Sequence, residues 1–145
     1  MTWLNNAEVK TAEDQLEAAR QSAISTTLAK IEEFGRRFTV DTPRIERDGW
    51  TIKAQAAMQL VNGDETPGMI HFEAQEKGVD PLILAQKVLE KSKAYGGVCA
   101  LITAIRSKTL DEIRAAQSYA EIQEAMQRNF NRARERAKEF GVDFP

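Results

Sequence analysis

Residues 93–108 read KAYGGVCALITAIRSK, and they lie in the most apolar part of the chain, with two adjacent glycines where a helix would otherwise continue. Just upstream, GVDPLILAQKVLEK supplies a start signal, with Asp80 as N-cap and Pro81 at the first helical position, where its missing N–H costs nothing. From there Leu82, Leu84, Ala85, Val88, Leu89, Tyr95, Val98, Ile102 and Ile105 mark a helix over about 81–106 whose second half is apolar on most sides. The spacing predicts an all-α fold, an irregular helical bundle around this central apolar helix. Gly96 and Gly97 cost about 1 kcal/mol each relative to alanine inside a helix, so something must offset them. With Ala94, Cys99 and Ala100 they form a zone of small side chains, across which a neighbouring helix can come closer than the usual ~8–10 Å between axes. Close helix packing at Gly96, Gly97 and Ala100 is the expectation, with a kink at the glycine pair as the second reading. A third, two short strands with VCALITAI as one of them, stays open because the run is short and partly β-branched.

Working outward, a short tail (1–6) leads into a helix from about Ala7 to Phe34, with Gly35 as its stop. Its stripe runs Val9, Ala12, Leu16, Ala19, Ala23, Ile24, Leu28, Ile31 and Phe34. The first half of that stripe is mostly alanine, which buries little area, so it should dock weakly on its own domain or pack closely against another helix. Residues 7–35 are therefore read as an N-terminal helical arm on a core domain spanning 36–141. Pro43 and Asp48-Gly49 make the next stretch an irregular or extended crossing, after which Trp50, Ala54, Ala57, Met58 and Val61 have helical spacing. NGDETPG (62–68) reads as a loop, 69–77 as a short helix closed by Gly78, and TLDE (109–112) and SYAE (118–121) both fit the capping box that marks a helix start. The last helix, about Tyr119 to Phe140, puts Ile122, Met126, Phe130, Ala133, Ala137 and Phe140 on one stripe, and Gly141 caps it.

A chain of 145 residues with 42% hydrophobic and 29% charged residues suits one soluble, self-sufficient helical domain. The single cysteine, Cys99, allows no internal disulfide, and no cleavable leader pattern opens the sequence, so synthesis in the cytoplasm is expected. The longest nearly apolar run covers 8 residues, against roughly 18 for a membrane span. A net charge of −2 argues against a dedicated nucleic-acid binder, but the charge is uneven. Residues 7–33 hold six acids against three bases, while 126–140 hold five bases against two acids, which makes antiparallel pairing of the end helices an expectation, within one chain or between two. Exposed ion pairs add only about 0–1 kcal/mol each, so apolar burial would have to carry that pairing. Self-association into a homo-oligomer follows as a further expectation.

The order FTVDTP, WTIKAQAA, PGMIHFEAQEKGVDP, AQKVLEK and LITAIRSKTLDEIRAA, across roughly 7–125, resembles small phage and prophage proteins encoded near tail-fibre genes. This chain departs from their pattern in Gly96-Gly97 and in the basic helix after Ala125. The resemblance implies a non-enzymatic tail-associated or tail-fibre-assembly component, made in the host bacterial cytoplasm and acting at the virion tail. A phage tail or tail-fibre protein is the implied partner, and no catalytic residues carry over.

The residues themselves point the same way. His71, near Glu73 and Glu76, lacks the three or four ligands of a metal site, and Cys99 in its apolar run reads as an inert small hydrophobe. No phosphate-binding glycine pattern occurs. No catalytic residue, cofactor or metal is therefore expected. Candidate partner contacts are Trp3 and Leu4 on the tail, Leu16 on the alanine-faced helix, and Arg128, Arg132 and Arg136 on the basic one. The alternative function is a small nucleic-acid-binding or regulatory protein using RNFNRARERAKEF (128–140), although Glu135, Glu139 and the inward phenylalanines favour a solvated face or an acidic protein partner.

Overall fold

The computed structural model describes residues 11–145, which form six helices: α1 (Ala12–Thr39), α2 (Arg44–Asp48), α3 (Trp50–Val61), α4 (Met69–Lys77), α5 (Pro81–Ala115) and α6 (Tyr119–Glu139). Among these residues 81% are helical and there is no strand, so the expected all-α bundle is what forms. None of the described helices is long and apolar enough to cross a membrane. Contacts gather the described residues into two units, one of the residues through Phe38 together with Ala100–Pro145, the other Thr39–Cys99. α5 contributes residues to both units.

The first unit joins the two ends of the chain. Leu16, Ala23 and Ile24 of α1 share a core with Leu110, Ile113 and Ala116 and with Ile122 of α6, and Ala19 and Met126 pack against it. The alanine half of α1 thus packs against helices of the same chain through Leu16, Ala19 and Ala23, while Ala12 is exposed. Further along, Lys30 lies 5.1 Å from the Phe130 ring centroid. Phe144 fits between Phe34 and Phe130, with centroids at 5.1 and 6.0 Å. Contacts therefore advance together along α1 and α6, which run parallel and not antiparallel as expected. The acids at the head of α1 serve their own helix, with Glu13 and Glu17 at 3.5 and 3.1 Å from Arg20. Arg20, itself buried, donates from Nε and Nη2 to the Ala116 carbonyl at 3.1 and 2.6 Å, a cation placed just past the end of α5 where helix dipole and free carbonyls favour one.

The second unit is built on small side chains. Ala57, Ala74 and Ala85 are fully buried with Ile70 and Leu84, and Ala56, Leu60, Val88 and Leu89 pack against them. Trp50 meets Tyr95 edge-on at 4.6 Å, holding the start of α3 to α5. Close approach of helices thus uses alanines of α3, α4 and the first turns of α5. It does not use the expected trio: Gly96 and Ala100 are exposed, Gly97 is half-buried, and a Cβ added at Gly96 would meet nothing within 4 Å. The buried line along α5 passes through Val98 and Ile105, which turns Gly96, Cys99 and Ala100 outward by helix geometry. For the same reason the second half of α5 is open on one side.

Several local signals are obeyed. Asp80 Oδ1 accepts from the N–H groups of Leu82 and Ile83 at 2.8 and 3.2 Å, and Gly78 closes α4 in the left-handed region at φ 68°. Ser118 Oγ accepts from Glu121 N–H at 3.1 Å, while the Glu121 carboxylate reaches back to the Gln117 N–H at 2.6 Å. Other expectations fail. TLDE starts nothing, because α5 runs unbroken through Gly96-Gly97 to Ala115, burying Thr109, Leu110 and Ile113; this also removes the strand reading. Gly35 lies inside α1, which continues to Thr39 and stops before Pro43. The described start of α1 is Ala12, capped by Thr11, whose hydroxyl accepts from Asp14 N–H at 3.1 Å. The stripe positions Leu28, Met58, Val61 and Leu82, expected inward, are exposed, and Phe144, outside the expected core, is buried.

Candidate partner-binding surface

The residues singled out from sequence do not come together. Trp3 and Leu4 lie outside the described residues, as does Val9. Leu16 is buried in the core of the first unit. Arg128 is held by Glu112 at 2.8 Å and Arg136 by Glu139 at 3.2 Å, while Arg132 is exposed. Arg134 donates to Asn131 and to the Pro145 carbonyl. Arg128, Arg134 and Arg136 thus have contacts within the chain, and Arg128, Arg132, Arg136 and Lys138 remain exposed on α6. Cys99 is exposed and not part of an apolar interior, and Tyr95, hydrogen-bonded to it and partly buried, has its hydroxyl pKa raised.

A different surface stands out. Ten of the twelve large hydrophobic residues left exposed in the described chain fall between Val40 and Ile83, all within the second unit. The densest part is α4 and its flanking turns. Ile70 and Ala74 face inward, which by helix geometry sends Phe72 to the opposite side, where it is 68% exposed. Met69, one turn before Phe72, is exposed as well, and Val61 precedes and Val79, Leu82 and Ile83 follow within a few residues of α4. Met69 and Phe72 lie on α4 itself, Val79 follows in its closing turn, Val61 ends α3 and Leu82 and Ile83 open α5, so exposed large apolar side chains are concentrated along residues 61–83, whereas isolated ones are ordinary. MIHFEAQE carries the signal in its spacing: an aromatic residue two positions after Ile70 and two before Ala74 must leave the face those two bury.

The electrostatics of this stretch are one-sided. Lys53 and Lys77 both bind Glu73, at 2.6 and 2.7 Å. Burial works against the Glu73 carboxylate, yet the hydrogen bonds and charge of the two lysines outweigh it and hold its pKa below the ordinary value. Asp64 is also held low, by the Thr66 backbone N–H and hydroxyl and by the charge of His71. Glu65, Glu76 and Asp80 are exposed.

The same region offers little to a small molecule. A recess of about 60 Å³ between α3, the 62–68 loop and α4 is lined by Ala56, Leu60, Asp64, Met69 and His71. Metabolite sites usually need about 300–1,000 Å³. A groove of about 340 Å³ beside the α5–α6 turn is open, and its Glu112 and Arg128 are already bound to each other. Among the described residues, no three His, Cys, Asp or Glu side chains gather as metal ligands would. Comparison of the chain with protein-family models, with curated proteins and with solved structures found no match.

Proposed function

We propose that the protein is a non-enzymatic structural or assembly component that works by protein–protein contact, with α4 and its flanking turns as the contact surface. The observation that supports this is the set of exposed apolar residues around Phe72 on a helix whose opposite face is firmly seated by Ile70 and Ala74. A rigid helix presenting aromatic, methionine and aliphatic side chains is what a partner's groove or helix recognises. The setting comes from the resemblance: a phage or prophage tail, with a tail or tail-fibre protein as partner. The net charge of −2 weighs against the nucleic-acid alternative.

Co-expression with the products of the adjacent genes tests the reading. Wild type should retain a tail or fibre protein through purification, and Phe72→Glu should lose it with an unchanged melting temperature, because Phe72 contributes little to its own core. Equal retention by Phe72→Glu would overturn the assignment of the surface. Self-association of the chain is part of the same reading, and light scattering tests it: a mass above the 16.3 kDa of a single chain that rises with concentration supports it, and 16.3 kDa at all concentrations removes it.

A further inference from the structure

The chemistry of the partner follows from the charges around the same surface, an inference that rests on the reading of α4 as the contact face. We propose that this face takes a basic amphipathic helix of a partner protein. Between Val61 and Ile83 stand five carboxylates, Asp64, Glu65, Glu73, Glu76 and Asp80, against one lysine, Lys77, and the histidine whose charge acts on Asp64, His71. Lys77 and Lys53, which reaches in from α3, are both already bound to Glu73. The exposed apolar side chains Met69, Phe72, Leu82 and Ile83 thus share the 61–83 stretch with the exposed carboxylates of Asp64, Glu65, Glu76 and Asp80, and its lysine is already paired; the next one, Lys87, lies a turn beyond Ile83. An apolar stripe covering this face would bring its flanking polar positions over those carboxylates. Lysine or arginine there gains from them, and glutamate is repelled.

The other occupants fit less well. A second copy would have to offer a basic helix with a free apolar face, but the basic helix of this chain buries Ile122, Phe130, Ala133 and Ala137 in its own unit. Nucleic acid and anionic lipid carry the same sign as those carboxylates. A helical occupant suits the dimensions: α4, with nine residues, is about 13.5 Å long, enough to meet apolar side chains spaced i, i+3 or i+4, and i+7 on a partner.

Fluorescence anisotropy on the full chain separates the possibilities with two labelled helical peptides of about 18 residues, alike in a leucine and isoleucine face. One carries lysine and arginine on its polar face, the other glutamate. At about 50 mM salt the basic peptide should bind at least about tenfold tighter, and the preference should shrink toward about 500 mM. Glu65→Lys with Glu76→Lys should reverse the preference, and Phe72→Glu should weaken both peptides. Equal or tighter binding of the acidic peptide overturns the inference, while loss of both peptides in Phe72→Glu would still uphold the contact face. If neither peptide binds, the inference fails too. The reading beneath it then stands or falls separately, on whether Phe72→Glu releases the co-purified protein.

Discussion

The two units of the chain dispose of their large apolar side chains in opposite directions. In the unit formed by the chain ends, Phe34, Ile113, Ile122, Phe130 and Phe144 point inward, and Leu28 and Tyr119 are its only large hydrophobics left exposed among the described residues. In the 39–99 unit the innermost positions are mostly alanines, with Val98, Ile70 and Leu84, while Val40, Ile45, Ile52, Phe72 and Ile83 face solvent. Burial of apolar area contributes about 25 cal/mol per Å², so alanines yield a slim core where isoleucine and phenylalanine yield a thick one. One unit consolidates the fold, and the other presents surface.

Substitution should separate them most sharply in the core. Ile113→Ala, at a fully buried position, should lower unfolding stability by about 2–5 kcal/mol, measured by denaturant titration. Phe72→Ala, removing a larger side chain, should change it by no more than about 0.5 kcal/mol. A large loss from Phe72→Ala would mean that this residue is a core member and would erase the contrast. Next in size is Arg20→Met, which leaves the Ala116 carbonyl without its two donors and should cost about 1–3 kcal/mol.

How much of this was readable in advance depends on whether the signal was local. The starts of α5 and α6, the end of α4 and the full span of α3 follow from caps, glycines and turn residues next to them in sequence, and these read correctly. TLDE and Gly35 carry the same kinds of signal but sit where helix continues on both sides, and burial of Thr109, Leu110 and Phe34 decides the outcome. Which face of α5 turns inward depends on partners far away in the chain, so the small residues Gly96 and Ala100 looked like a contact and are surface. The candidate site suffered in the same way. Leu16 and the arginines are conspicuous in sequence, yet Leu16 is buried and Arg128, Arg134 and Arg136 have contacts within the chain, while Phe72, flanked by residues of the inward face, is inconspicuous.

Two capping-box sequences sharpen the point at smaller cost. Ser118→Ala should destabilise by about 1 kcal/mol, since it removes a working cap. Thr109→Val should be neutral or stabilising, because the Thr109 hydroxyl is buried without a hydrogen-bond partner in the structure and valine keeps its shape. Thermal melts of the pair check both.

The smallest expected effect is on pH dependence. The carboxylates of Glu73 and Glu112 are both held below the ordinary 4.5: burial opposes ionisation, but Lys53 and Lys77, and Arg128 and Asn129, outweigh it. A depressed carboxylate contributes stability that is complete above pH 4.5 and lost as pH falls through the lowered folded value. Glu73→Gln and Glu112→Gln should therefore flatten the stability loss below pH 4.5, each by no more than about 1 kcal/mol because the pairs are partly exposed.

Site-specific photocrosslinking asks most directly whether the outward-facing unit meets a protein. A photoreactive phenylalanine analogue placed at Phe72, and separately at Arg132, would be irradiated with the co-expressed neighbouring gene products. The account predicts a crosslinked protein from position 72 and none from 132. Crosslinking from 132 alone, or to nucleic acid in place of protein, would contradict it.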